Sequence, residues 1–312
     1  MSKTKDARRT LLIPFERQNI ALEAGQNWLF FNATPLEPLG PLDDSPSWSS
    51  VLTSIQPFRP QFNALVGAGI TAHPSTQSVS TKSIQGYDGA LVLAGKSQER
   101  NHIAISDALR LSKQGAPIVV AGDKAGGIGG LRKWTTSMVE QAGGTLEALS
   151  KHHAVVFWFA ALSIADLPEW SLKRIGEDGW WTAPGTFSAD GADAGSKLLA
   201  NHFAPRIKGK IADFGSGWGY LTARLLEACP SVASVDLFEA DHDAITAAKA
   251  NLTDPRVTFH WTDIATEGPK GPFDTVIMNP PFHDGGHKGR KSEPRIGQTF
   301  IEAAARCLPS GG

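Results

Sequence analysis

Residues 210–227 read as a strand, a glycine loop and a helix joined without slack. Lys210-Ile211-Ala212 is a short strand, Asp213-Phe214-Gly215-Ser216-Gly217-Trp218-Gly219 is the loop, and Tyr220 to Glu227 carries apolar residues at helical spacing. Glycines at such a join let the chain turn sharply and let a ligand meet the backbone. A strand that passes straight into a helix this way belongs to an α/β fold. The spacing is G-x-G-x-G. In the dinucleotide fingerprint G-x-G-x-x-G the third glycine would fall at Tyr220, so a nicotinamide cofactor is not favoured.

Three more strands follow, and each ends on a residue with chemistry. Ser231 to Phe238 ends at Glu239, about 20 residues past the glycine loop, where an adenosine ribose would offer its hydroxyls to a carboxylate. Asp236 is close by but lies inside the strand, so Glu239 is preferred and Asp236 is expected to pack or pair. Arg256 to Trp261 leads to Asp263, which suits an adenine amino group and equally suits a helix or turn cap. Phe273 to Met278 runs into Asn279-Pro280-Pro281-Phe282. There an Asn amide and a proline-flanked carbonyl can accept hydrogen bonds from one planar NH2 group, and Phe282 can stack on the ring that carries it. A plain loop explains the same tetrapeptide, because the residue before proline leaves the helical region. What favours a site is position: in an open α/β sheet ligands bind at the carboxyl ends of the strands, and all four features fall on that edge.

These motifs resemble the class I S-adenosylmethionine-dependent methyltransferases. Asp213 to Gly219 is similar to that family's cofactor loop, Glu239 to its ribose acid, Asp263 to its adenine contact, and Asn279 to Phe282 to its amino-methylating motif. Two stretches narrow the resemblance to the ribosomal RNA guanine-N2 methyltransferases of both subunits: Asn279 through His283-Asp284-Gly285, and Ala183-Pro184-Gly185-Thr186-Phe187-Ser188-Ala189-Asp190 with Asp193-Ala194-Gly195-Ser196 after it. The latter stretch lies over the cofactor in that family, which implies Phe187 and Asp193 as cofactor neighbours. The match covers residues 180–312 well and is weaker over 1–175. It implies S-adenosyl-L-methionine as cofactor, with Asp213, Gly215, Gly217, Gly219, Glu239, Asp263 and Phe187 around it and Asn279, Pro280 and Phe282 at the reacting amine. It further implies ribosomal RNA or a ribosomal subunit as partner, and a cytoplasmic monomer.

The expected fold is α/β: two doubly wound Rossmann-like methyltransferase domains in tandem, residues 1–175 and 176–312. In the first half Gly89 to Ala94, Pro117 to Ala121 and Ala154 to Phe159 read as strands, residues 99–114 and 131–142 as helices, and 122–130 as a glycine-rich loop. No strand there ends in a glycine triplet with an acid, and Val66-Gly67-Ala68-Gly69 is only a fragment of such a loop. This half resembles the family's site-less amino-terminal domain, which implies support for the catalytic half and a grip on RNA. Trp180 and Trp181, near the expected joint, are read as packing. At the other end, a helix over residues 299–308 is followed by Pro309-Ser310-Gly311-Gly312. Against the family's fold this predicts an incomplete second sheet, short of three strands or roughly 30 residues, with an unpaired edge at its fourth strand.

Charge and composition exclude some classes. With 30 basic and 31 acidic residues the net charge is −1, so no global basic field steers nucleic acid. One local cluster, His287, Lys288, Arg290, Lys291 and Arg295, directly follows the Asn-Pro-Pro-Phe loop and suits phosphates or a solvated surface. The two cysteines, Cys229 and Cys307, lack ligand-like spacing, so neither a zinc site nor a disulfide framework is suggested and they read as free thiols of a reducing compartment. No apolar stretch follows the basic amino terminus, and the longest apolar run, Ala154 to Leu162, is too short to cross a bilayer. Adenine-N6 or cytosine-N4 methylation, protein glutamine methylation, and a non-catalytic RNA-binding assembly factor remain open alternatives.

Overall fold

A computed structural model describes residues 7–35, 48–79, 86–280 and 295–309. The chain divides into two compact units, Met1–Trp170 and Ser171–Gly312. In the first, α1 (Ala7–Leu11) and α2 (Ile13–Glu16) precede β1 (Trp28–Phe31), and α3 (Trp48–Val51) runs straight into β2 (Leu52–Ile55). Then follow α4 (Arg59–Gly67), β3 (Thr71–His73), β4 (Gly89–Leu93), α5 (Gln98–Leu111), β5 (Pro117–Asp123), α6 (Ile128–Gln141), β6 (Leu146–Lys151) and β7 (Ala154–Ala160).

The seven strands lie in the order β3-β2-β1-β4-β5-β7-β6, with β1 to β5 parallel and β7 antiparallel to both its neighbours. The central strands are buried on both faces, which is why they read as unbroken apolar runs. Alternate residues feed two separate cores: Leu29, Phe31, Val92, Val120 and Phe157 on one side, and Trp28, Phe30, Leu91, Val119 and Trp158 on the other.

Three expectations are corrected here. Val66-Gly67-Ala68-Gly69 is the end of α4: the amides of Ala68, Gly69 and Ile70 close on carbonyls of residues 64–66, and Gly69 takes the left-handed conformation at φ 75°. The glycine-rich stretch 122–130 is not all loop, since α6 begins at Ile128 and holds Gly129 and Gly130 in its first turn. The helix expected over 99–114 stops at Leu111, where Ser112 turns extended.

The second unit opens with a hairpin, β8 (Lys173–Ile175) and β9 (Trp180–Thr182), and continues with α7 (Ala194–Ala200), β10 (Gly209–Phe214) and α8 (Tyr220–Ala228). After these come β11 (Val232–Glu239), α9 (His242–Asn251), β12 (Val257–Trp261), β13 (Thr275–Met278) and α10 (Arg295–Cys307). The strand order is β12-β11-β10-β13, all parallel. The sheet is covered on both faces, by α10 over Ala212, Phe214 and Phe238, and by α8 over Ile211, Val235 and Ile277.

Candidate active site

Register decides which residues meet. Phe214 of β10 lies opposite Phe238 of β11 and opposite Met278 of β13. The next residue on each strand is Gly215, Glu239 and Asn279, so the three reach the carboxyl edge side by side. Glu239 in turn lies opposite Trp261, the last residue of β12, two before Asp263.

The loop is built for its glycines. Gly215, Gly217 and Gly219 all have positive φ, at 68°, 57° and 90°, where a side chain would be strained. Gly219 caps α8, and a Cβ there would come within 2.7 Å of Leu252. Glu239 closes the loop from the neighbouring strand: one carboxylate oxygen accepts from Gly217 N at 2.8 Å and the other from Asp241 N at 2.8 Å. Burial pushes its carboxyl above the usual range.

Asp213 is placed differently from a ligand contact. Its side chain has no exposed surface, and Oδ2 accepts from Thr222 Oγ1 of α8 at 2.7 Å. Burial, with Glu239 adding to it against the Thr222 bond, pushes its carboxyl to about 7. Asp213 therefore fastens the glycine loop to the helix that follows, from behind the pocket. Asp263 is 9 % exposed and organises its own turn, accepting from Ala265 N at 3.0 Å and Thr266 Oγ1 at 2.7 Å. Asp236 pairs inside the sheet with His260 Nε2 at 2.6 Å.

A pocket of about 390 Å³, open to solvent, lies over the loop. Its walls are Gly215, Ser216, Gly217 and Trp218 from the loop, Tyr220 and Leu221 of α8, Phe187, Ser188, Ala192 and Asp193, Ser196 of α7, and Asn279. Ser216 Oγ is buried there without a hydrogen-bond partner among the described residues. Phe187 is 68 % exposed at its mouth. Pro280 is buried, whereas Pro281, Phe282, His283, Asp284 and the basic residues 287–291 lie outside the described residues.

The amide of Asn279 is held on one side only. Nδ2 donates to Asp193 Oδ2 and to Ser196 Oγ, both at 2.9 Å. Among the described residues nothing bonds its Oδ1. The arrangement thus offers a fixed acceptor beside a glycine cradle that suits an extended ligand with a polar end.

Residues 179–312 match the family model described as the methyltransferase small domain. This stretch is similar to the methyltransferase small domain. Ribosomal RNA small subunit methyltransferase C of Shewanella loihica is 28 % identical over 309 residues, which take in 95 % of this chain and 85 % of that protein. The protein of the same name from Citrobacter koseri is 38 % identical over 144 residues, 46 % of this chain and 41 % of that protein. Alignments with such relatives span less than half their length. Among solved structures, the 16S rRNA N2 G1207 methyltransferase of T. thermophilus, in complex with AdoMet and guanosine, superposes with a TM-score of 0.73 at 19 % identity. That superposition covers 99 % of this chain and 82 % of the other, and it supports the fold.

Two features of the second unit escaped sequence reasoning. Asn251, at the end of α9, accepts from Trp181 N and donates to the carbonyls of Trp181 and Trp218, each at 2.8 Å. It thereby ties β9 to the glycine loop. Trp218 is 3 % exposed and donates from Nε1 to Ser188 O at 3.2 Å, holding residues 183–193 over the loop. Nothing local marks an asparagine as a long-range tie. Trp180 packs on Trp218 at 5.4 Å and Trp181 lies under Arg174 at 4.7 Å, the packing role expected for both.

Proposed function

We propose that this chain transfers a methyl group from S-adenosylmethionine to the exocyclic N2 amine of a guanine in small-subunit ribosomal RNA. The observation that carries the reading is the register that sets Asn279 beside Gly215 on adjacent strands, with the amide oxygen left open toward the shared pocket. The small-subunit relatives support the choice of substrate.

The residues present fit the cofactor. Three glycines give the backbone room, and Ser216 Oγ waits for a partner in the pocket wall. Gly215, Gly217 and Gly219 would hold it along the loop, Glu239 would accept from its ribose hydroxyls, Asp263 from its adenine amine, and Phe187 would cover it. Asp213 supports this set from behind. When bound, the cofactor supplies a sulfonium methyl, which the amine lone pair takes as the carbon–sulfur bond breaks and its electrons return to sulfur.

The chain's own contribution is orientation. Asn279 Oδ1 and the Pro280 carbonyl accept from the two amine hydrogens, which turns the lone pair toward the methyl carbon, and Phe282 stacks on a base drawn out of its helix. The amine becomes acidic only as the new bond forms, so its proton leaves late and no strong base is needed. The first unit is read as a second, site-less methyltransferase-like domain in tandem. Its first four strands share the order of β12-β11-β10-β13, and its role is to support the catalytic unit and grip RNA.

The test is transfer of labelled methyl to small subunits that lack the modification. Label is expected in RNA, and Asn279→Ala should reduce it by about 10²-fold or more, the scale of losing one aligned polar contact to the reacting group. Label on protein, or an Asn279→Ala variant of undiminished activity, contradicts the reading.

A further inference from the structure

We infer that Asp193 is a positioning residue for the transfer step, because it decides which end of the Asn279 amide faces the substrate amine. The inference rests on the function proposed above and goes beyond it, since the motif resemblance marks Asp193 only as a neighbour of the cofactor.

An asparagine amide has two nearly equal ends, one accepting and one donating. Only the accepting end can help a substrate NH2; the other would set donor against donor. A neighbouring group must therefore choose. Ser196 cannot, because a hydroxyl both donates and accepts. An ionised carboxylate only accepts, so it tolerates nothing but the NH2 end. The two hydrogens of Asn279 Nδ2 are both taken, one by Asp193 Oδ2 and one by Ser196 Oγ, each at 2.9 Å. Oδ1 is thereby turned away from both.

Asp193 is itself fixed. The same Oδ2 accepts from Gly195 N at 2.8 Å and Ser196 N at 3.2 Å, amides in the first turn of α7. The Ser196 backbone bond, joined by those from Asn279 and Gly195, holds its carboxyl below the usual range, so it stays ionised. Backbone amides of α7 thus fix a carboxylate, and the carboxylate fixes an amide 86 residues away, just past the end of β13.

Asp193 also caps α7, so loss of the cap must be separated from loss of the lock. Asp193→Ser keeps a good cap but is too short to reach Asn279. Asp193→Asn keeps both: the α7 amides demand its oxygen, which then still faces Asn279 Nδ2. In the transfer assay Asp193→Ser should lower kcat by about 10- to 100-fold, as misorientation of a reacting pair does, with KM for the cofactor within about twofold. Asp193→Asn should restore kcat to within about threefold of wild type. A KM for the cofactor that rises in step with the fall in kcat, an undiminished kcat in Asp193→Ser, or an Asp193→Asn variant as poor as Asp193→Ser would each overturn the inference.

A substrate-free readout separates this from the function itself. In protein labelled with 15N-asparagine, the Asn279 side-chain hydrogens should exchange slowly in wild type and Asp193→Asn, and fast in Asp193→Ser. Equal exchange in all three overturns the lock. Slow exchange in a wild type that methylates no subunit overturns the function and, with it, the catalytic meaning of Asp193.

Discussion

At the scale of the residue, the site sorts its carboxylates by what surrounds them. Asp193 is held ionised by backbone amides, whereas Asp213 is pushed to about 7 by burial. The second has a consequence for stability. Between about pH 4 and pH 7 the unfolded chain has lost the Asp213 proton and the folded chain keeps it, so stability falls as pH rises through that window and levels above it. The limiting slope is about 1.4 kcal/mol per pH unit. Asp213→Asn keeps an acceptor for Thr222 and removes the titration. The variant should therefore gain on wild type between pH 5 and pH 8 in urea unfolding, and parallel curves would contradict the assignment. Asn279 and Glu239 were legible in the sequence because each stands at the end of an apolar strand. Whether Asp263 caps a turn or meets a ligand was not legible, because the same residue type does both; in the structure it organises its turn, which leaves its proposed adenine contact compatible with that role.

At the scale of the element, legibility followed burial. Strands β4, β5, β7, β10 and β11 sit inside their sheets, and their apolar runs announce them. Strand β6 is an edge strand with four of its six residues exposed, and it turns into β7 through His152 and His153, both at positive φ without the usual Asn-Gly. Nothing in its composition reports a strand. The short β1 and β2 were missed for another reason: four residues are too few to show a period. Elements are also where the tie through Asn251 is tested. Asn251→Ala removes three hydrogen bonds between β9, the glycine loop and α9, and should cost about 2–3 kcal/mol in chemical denaturation, with weaker cofactor binding. Gly219→Ala should cost about 1–3 kcal/mol in the same experiment, since it adds a Cβ at φ 90° against Leu252.

At the scale of the whole molecule, the first unit carries a mixed sheet and the second a parallel one, and they differ at the strand ends. In the first unit the chain's own side chains occupy that edge. Gln56 Nε2 donates to Ala33 O at 2.6 Å, Asn32 Nδ2 to Leu93 O at 3.2 Å, and the amide of Asn101 takes both the N–H and the carbonyl of Gly95 at 2.9 Å. In the second unit, among the described residues, the corresponding edge keeps the unbonded amide oxygen of Asn279 beside the glycine loop; buried unpartnered polar atoms do not make the contrast, since Thr34, Ser54 and Asp123 of the first unit carry them as Ser216 does here. Calorimetric titration with S-adenosylmethionine should therefore give one site per chain, and two equivalent sites would refute the contrast. The central claim is that Asn279 presents an acceptor to a guanine amine beside a methyl donor. Its most direct test is to incubate the protein and cofactor with unmodified small ribosomal subunits, digest the RNA to nucleosides and weigh them. The account predicts N2-methylguanosine, lost in Asn279→Ala; N6-methyladenosine, N4-methylcytidine or an unmodified digest would contradict it.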